Sequence, residues 1–148
     1  MVLVINEEQT MLKESAKDFL KENSPVSALR ALRDSRDATG YDKAIWQQMA
    51  EMGWGSLTFP EEYGGLDFGY VGLGQILEEM GKTLAASPML STVVLCGTAI
   101  RLGGNALQKE ALLPTIAEGH LVMALALEEG RHHNPKTIKT TATKTEKG

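Results

Sequence analysis

The sequence predicts a mainly α-helical protein, a helix bundle with one or two β-strands at its C-terminal end. Two observations indicate this. Residues 1–119 contain repeated capping pairs, each followed by apolar residues at helical spacing. After residue 119 a continuous apolar run and a threonine-rich alternating segment follow, and both are typical of strands. We therefore expect a helical domain over residues 1–119 and the truncated beginning of a β-domain over residues 120–148.

Capping residues place three helices in the first part of the chain. Asn6 with Gln9 resembles a capping pair and opens the first helix. A shorter helix follows Ser24-Pro25, because proline suits a first helical turn. Asp42 caps the third helix, which ends at Gly53. The residues expected to face inward are Leu12, Ala16, Phe19, Leu20, Ile45, Trp46, Met49 and Ala50.

Three further helices are predicted before residue 119. The fourth runs over about 70–84. The fifth follows Ser87-Pro88 and covers 89–102, where Arg101 alone is charged, so we expect it to be buried on most sides at the centre of the bundle. Asn105 caps the sixth, which Pro114 should kink or divide. The residues that the fourth helix should bury are Leu73, Ile76, Leu77, Met80 and Leu84.

The C-terminal part predicts an unfinished sheet. Residues 121–127 form an uninterrupted apolar run, as in a buried strand, and residues 136–145 alternate as in an edge strand. Residues 146–148 then resemble the start of a hairpin turn. Since two strands alone are marginally stable, we interpret the chain as the front part of a larger enzyme.

Composition and charge restrict the class of protein. Cys96 is the single cysteine, which excludes an intramolecular disulfide and indicates a reducing cytoplasm. No segment has the pattern of a signal peptide, and the longest apolar run is too short for a membrane span. Residues 131–148 carry five bases against one glutamate, but their lysine–threonine alternation favours a strand face over a nucleic-acid site.

The connection after the third helix carries the most specific pattern. It reads Gly-Trp-Gly-Ser-Leu-Thr-Phe-Pro-Glu-Glu-Tyr-Gly-Gly over residues 53–65. Together with the order of helices, this segment resembles the N-terminal helical domain of the acyl-CoA dehydrogenases. Further matches are Glu78-Glu79, Gly104-Asn105 with Gln108-Lys109, Leu113-Pro114 and Ala117-Glu118-Gly119.

The resemblance implies a flavin enzyme of three parts, with a helical domain, a central β-domain and a second helical domain. In that family a glutamate base removes the α-proton of an acyl-CoA, and the β-hydrogen passes as hydride to FAD. The implied partners are the acyl-CoA substrate, an electron-transfer acceptor and further subunits of a homo- or hetero-oligomer. The family's base usually lies in later parts of the protein, so this chain alone is expected to be inactive.

Four residues are implied as site residues by the same resemblance. Ser91 and Leu95 fall where the family lines its acyl pocket, although Leu95 is equally well explained as a core residue. Leu127 and Glu128 fall where the backbone meets the flavin edge. The loop over residues 128–135 departs from the family's Thr-Glu-Pro and Gly-Ser-Asp pattern, and only Glu129 matches.

This departure leaves three hypotheses open. The first is a divergent dehydrogenase that binds FAD differently. The second is a subunit without flavin in a heteromeric enzyme, and the third is a free-standing helical interaction module without activity.

No catalytic or metal-binding residue is predicted in this chain. The pairs Glu61-Glu62 and Glu78-Glu79 do not occupy the family's base position, and we interpret them as a loop anchor and a solvated helix face. His132-His133 are adjacent in a loop with no third ligand, which is weak evidence for a metal. Cys96 is interpreted as a small core residue.

Overall fold

A computed structural model describes residues 4–145, and the predicted helical bundle is confirmed. Two single-turn 3₁₀ segments, Glu61–Tyr63 and Pro135–Thr137, lie in the connections. The longer helices are α1 (Glu7–Asn23), α2 (Val26–Ser35), α3 (Lys43–Glu51), α4 (Gly69–Thr83), a π-helix (Met89–Gly97), α5 (Thr98–Gly103) and α6 (Ala106–Ala117).

The predicted caps form as the sequence indicated. The Asn6 side chain accepts a hydrogen bond from the Gln9 backbone at 2.8 Å, and the Gln9 side chain accepts one in return. Asn105 and Gln108 repeat this arrangement at the start of α6. Pro114 does not divide α6, which continues to Ala117. A proline removes one backbone donor, and the helix tolerates this loss because its buried side packs against the core.

The core is formed where α1, α3, α4, α6 and the π-helix meet. Leu84 was predicted to be buried and is 55% exposed, because it ends α4 in a left-handed conformation (φ 53°) that turns its side chain outward. The fifth predicted helix is buried on one side only, since Leu90 and Leu95 are 59% and 44% exposed. The fully enclosed large side chains include Trp54, Phe59, Leu20, Met49, Leu73, Ile76, Met89, Leu113 and Ile116.

The connection over residues 53–65 is part of the core. Residues 54–59 are buried, and the chain then folds back on them through backbone hydrogen bonds. Phe68 N–H donates to the Leu57 carbonyl at 2.8 Å, and Asp67 N–H donates to the Phe59 carbonyl at 3.0 Å. A Cβ on Gly65 would lie 1.9 Å from the Phe59 carbonyl oxygen. The glycine is therefore required by close approach of two backbone segments.

An ion-pair cluster joins α1 to α4. Lys13 on α1 contacts the Glu78 carboxylate at 2.8 Å, and Lys82 contacts Glu79 at 2.7 Å. Glu79 is 3% exposed, so the interpretation of Glu78-Glu79 as a solvated helix face is wrong for this residue. A buried carboxylate needs a charged partner, and Lys82 supplies it.

The two predicted strands are not formed within residues 4–145. Residues 121–127 and 138–145 have no regular secondary structure, residues 136 and 137 belong to the second 3₁₀ segment, and the two predicted strands make no ladder hydrogen bonds with each other. The physical reason is that two strands without a third, or without a packed face, do not offset their loss of chain entropy. The turn predicted over residues 146–148 lies outside the described residues.

Glycine replacements test the folded-back connection. We expect Gly65→Ala to destabilise the protein by about 1–3 kcal/mol, because the added methyl overlaps the Phe59 carbonyl. Gly74→Ala is the matched control, since a Cβ there meets nothing within 4 Å and alanine favours the α4 helix by about 1 kcal/mol. Urea midpoints would measure both changes, and an equal response of the two variants would contradict the proposed close contact.

The ion pairs between α1 and α4 predict that the stability of the folded protein decreases at acidic pH. Hydrogen bonds from Lys13, and then from Lys82, lower the pKa of Glu78 below its ordinary value of 4.5. Glu78 therefore stabilises the folded state fully above pH 4.5, and this contribution is lost as the pH falls through the lowered pKa.

Thermal unfolding of wild type and Glu78→Gln between neutral and acidic pH tests this effect. We expect the variant to be less stable than wild type near pH 7 and to approach it as the pH drops below 4.5. Glu61→Gln is the control, because Glu61 has no ion pair among residues 4–145. A constant gap between wild type and Glu78→Gln at all pH values would exclude the mechanism.

Candidate functional site

The central element of the candidate site is the π-helix Met89–Gly97. It begins directly after Ser87-Pro88, where the Ser87 hydroxyl accepts a hydrogen bond from Met89 N–H at 3.3 Å. π-helices are rare, and short π segments occur frequently at functional sites. The sequence predicted an α-helix here, because apolar content does not distinguish an α-helix from a π-helix. The residues buried on its inner side are Met89, Thr92, Val93, Cys96 and Gly97.

An open groove of about 540 Å³ lies beside the first half of the π-helix. Ser91 lines it and is half-buried, with its hydroxyl donating to the Pro88 carbonyl at 3.1 Å. Leu95 does not line this groove and lies 44% exposed one turn further along. The remaining lining residues are Thr39, Gly40, Tyr41, Ala85, Ala86, Ser87, Pro88, Val122, Met123 and Ala124. The structure thus places Ser91, and not Leu95, in a concave surface.

Thr92 holds in place the segment around Met123 that lines this groove. This role of Thr92 was not predicted from the sequence. Its hydroxyl donates to the Met123 carbonyl at 3.0 Å and accepts from Met123 N–H at 2.9 Å. The side chain is fully buried, so these two bonds hold the segment after α6 against the π-helix. A buried threonine in an otherwise apolar helix was the available signal, because such a hydroxyl needs a partner.

Leu127 and Glu128 lie at a second, smaller cavity of about 180 Å³, formed within residues 127–139. Among residues 4–145, no hydrogen bond is made by the backbone groups of Leu127 or Glu128. The side chain of Glu128 is turned to the His133 ring. The two residues that the resemblance implied as flavin contacts thus line one cavity, and the side chain at position 128, where the resemblance implied a threonine, is a carboxylate.

Glu129 closes the loop around this cavity. Its carboxylate accepts hydrogen bonds from the backbone N–H groups of Lys139 and Thr140, both at 2.7 Å, and from the Thr140 hydroxyl. The Thr140 hydroxyl, followed by these two backbone donors, lowers the pKa of the Glu129 carboxyl. Two backbone N–H groups of the segment 136–145, which was predicted to be a strand, are thus bonded by the Glu129 side chain instead of by a neighbouring strand.

The two glutamate pairs and Cys96 line neither cavity, whereas His132 lines the smaller one. Glu78 and Glu79 are engaged by lysines, and Glu61-Glu62 are exposed at the start of a 3₁₀ turn. Burial raises the pKa of the Cys96 thiol, which makes it a poor nucleophile. Within the described part of the chain, no cluster of three or more His, Cys, Asp or Glu side chains has a geometry that could hold a metal ion.

A helix that crosses a lipid bilayer needs about 20 predominantly apolar residues. None of the helices within residues 4–145 combines the necessary length and apolar character.

Comparisons with known proteins agree with the fold. The chain is 34% identical over 130 residues to the mitochondrial isovaleryl-CoA dehydrogenase of Arabidopsis thaliana. The aligned region covers 86% of this chain and 31% of that protein. The solved Tcur3481-Tcur3483 steroid ACAD superimposes with a TM-score of 0.74 at 32% identity, over 83% of this chain and 33% of that one. The ChsE4-ChsE5 complex of Mycobacterium tuberculosis shares the fold, with a TM-score of 0.79 at 22% identity, over 90% of this chain and 36% of that one.

These relatives are about three times as long as the matched region. The sequence profile of the family described as "Acyl-CoA dehydrogenase, N-terminal domain" matches residues 6–120, which include every helix from α1 to α6. This protein chain belongs to the acyl-CoA dehydrogenase family and contains its N-terminal helical domain.

Proposed function

We propose that this chain supplies the acyl-binding side of a flavin-dependent acyl-CoA dehydrogenase. The observation that carries the proposal is the groove beside the π-helix, lined by Ser91 and walled by the segment that Thr92 holds in place. Family membership supports the reaction class, which is α,β-dehydrogenation of an acyl-CoA thioester. The division into a helical domain over residues 1–119 and a β-domain beginning at 120 is part of this proposal, as is a cytoplasmic location.

The groove suits an acyl chain in its composition. Most of its lining side chains are small or apolar, and the side-chain hydroxyl groups among them are those of Thr39, Tyr41, Ser87 and Ser91. An acyl chain placed here would exclude water from the groove and gain from apolar burial at about 25 cal/mol per Å². The Ser91 hydroxyl is already bonded to Pro88, so it presents no unpaired donor to an apolar substrate.

The groups that would hold the cofactor are the free backbone groups of Leu127 and Glu128. FAD held there would supply an acceptor for the β-hydrogen of the substrate, and the residues of this chain would supply position and electrostatics. The unbonded backbone at these two residues is compatible with hydrogen bonds to a flavin edge. The Glu128 carboxylate, which would face an electron-rich flavin unfavourably, is bonded to the His133 ring.

A flavin-free subunit of a heteromeric enzyme is the second candidate. It is favoured by the internally bonded loop over residues 128–140, in which Glu129 accepts hydrogen bonds from the backbone of Lys139 and Thr140. The Tcur3481-Tcur3483 steroid ACAD carries two polypeptide names, and a heteromeric assembly of the present chain would be similar in that respect. The third hypothesis is an interaction module without activity. No feature of the groove favours this hypothesis over an acyl-binding role.

The location of the flavin distinguishes the first two candidates. The assembled enzyme that contains this chain is separated into its polypeptides, and the absorbance near 450 nm is measured in each. For a divergent dehydrogenase, flavin stays with the polypeptide that carries residues 1–148. Recovery of all flavin with another polypeptide would establish the flavin-free subunit instead. The 148-residue chain alone, supplied with FAD and butyryl-CoA, is expected to show no turnover.

Filling the groove tests the acyl-binding role. We expect Ser91→Phe in the assembled enzyme to lower kcat/KM for long or bulky acyl-CoA substrates at least about tenfold more than for butyryl-CoA. The physical reason is that the phenyl ring occupies space that only the larger acyl groups need. Leu107→Phe is the control, because Leu107 is 76% exposed and does not line the groove. An unchanged ratio of the two kcat/KM values in Ser91→Phe would show that the acyl chain lies elsewhere.

A further inference from the structure

A second cavity, of about 340 Å³, lies between α2 and the starts of α3 and the π-helix segment. Much of its apolar lining comes from one face of α2, where Ala28, Leu29 and Leu32 follow helical spacing. Ile45 adds a further apolar side chain from α3. Within Val26–Ser35 no residue is fully buried, so the apolar face of α2 borders this space instead of being enclosed by the core. We name this space the α2 cavity.

The polar side chains of the α2 cavity are mostly engaged by the backbone. The Asn23 amide and the Ser35 hydroxyl each donate to a carbonyl one turn earlier in the chain. The Asp42 carboxylate accepts from the first N–H groups of α3. The Ser24 hydroxyl makes no hydrogen bond among residues 4–145. A ligand here therefore meets mainly apolar surface, and an apolar group suits it best because engaged polar groups offer little in exchange for lost water.

The α2 cavity meets the groove beside the π-helix at Ala86. This residue lines both spaces and is half-buried. Tyr41 and Asp42 form a second shared boundary, since they are neighbours in the chain and line the groove and the α2 cavity respectively. The Ala86 side chain is a single methyl group, so any larger side chain at this position would extend into the boundary between the two spaces.

We propose that the α2 cavity receives the distal end of a long, linear acyl chain whose first part lies in the groove. This inference rests on the function proposed above, because an acyl group must occupy the groove before it can reach beyond it. Continuity of the two spaces at Ala86 is the argument for this occupant. A linear alkyl chain is the narrowest apolar group that a thioester can carry, and it gains from the apolar face of α2. Ala86 then sets the length of the acyl chain that is accepted.

The affinity for two reaction products tests this proposal without turnover. Crotonyl-CoA and α,β-unsaturated hexadecenoyl-CoA already carry the double bond, so calorimetry on the assembled enzyme measures binding alone. We expect the wild type to bind hexadecenoyl-CoA at least about tenfold more tightly, because each buried methylene lowers the dissociation constant about fourfold. A wild type that binds the two products equally well would overturn the proposal.

Two substitutions then close the α2 cavity from different sides. Ala28→Phe fills it from α2, and Ala86→Leu narrows its boundary with the groove. Each should lower the preference for hexadecenoyl-CoA over crotonyl-CoA about tenfold or more, since the distal methylenes lose their contacts. Ala111→Phe is the matched control, because Ala111 is exposed on α6 and lines neither space, and the preference should not change.

Ser91→Phe separates this inference from the proposed function. Circular dichroism first shows whether each variant is folded. If Ser91→Phe weakens hexadecenoyl-CoA binding while a folded Ala28→Phe or Ala86→Leu keeps the wild-type preference, the acyl chain occupies the groove and the extension into the α2 cavity is overturned alone. If Ser91→Phe leaves both affinities unchanged, the acyl chain does not enter the groove, and the proposed function is overturned together with its extension.

Discussion

The contact between the Phe59 ring and the backbone of Gly97 holds the candidate site against the rest of the fold. A Cβ at Gly97 would lie 2.6 Å from the ring, so only glycine allows this approach. Phe59 is fully buried and comes from the connection between α3 and α4, whereas Gly97 ends the π-helix. Truncating such an aromatic side chain costs about 3–5 kcal/mol. The position of the groove therefore depends on a loop that contributes no residue to its lining.

The same connection supports the opposite end of the molecule. A Cβ on Gly55 would lie 2.8 Å from the Ala117 carbonyl oxygen, so the backbone passes directly over the end of α6. Beyond α6, Trp46 Nε1 donates to the Gly119 carbonyl at 2.9 Å. The chain then continues to the π-helix, where the Thr92 hydroxyl donates to the Met123 carbonyl. Three buried contacts thus determine where the C-terminal segment leaves the bundle, and this exit forms a wall of the groove and leads to residues 127–128.

Much of the fold could be predicted from sequence because its signals are local. Capping side chains such as Asn6, Asp42 and Asn105 bond backbone groups two or three residues away, so their effect does not depend on distant parts of the chain. The site was less predictable. Ser91 was assigned by family resemblance and lies in the groove, whereas Leu95 was assigned in the same way and lies outside it. A sequence pattern places both on one helix, but the neighbouring segments that enclose the groove, residues 39–41, 85–88 and 122–124, reach Ser91 and not Leu95.

The sequence alone determined the helical class, the caps and the family, because each is encoded by neighbouring residues or by an ordered motif such as residues 53–65. Only the tertiary structure decided which polar groups find partners. Glu79 is buried beside Lys82, Glu129 bonds the backbone of a loop expected to be a strand, and Arg101 is left without an anion. Each outcome depends on residues brought together by packing, since a charge or hydrogen bond acts over a few ångströms of space regardless of separation along the chain.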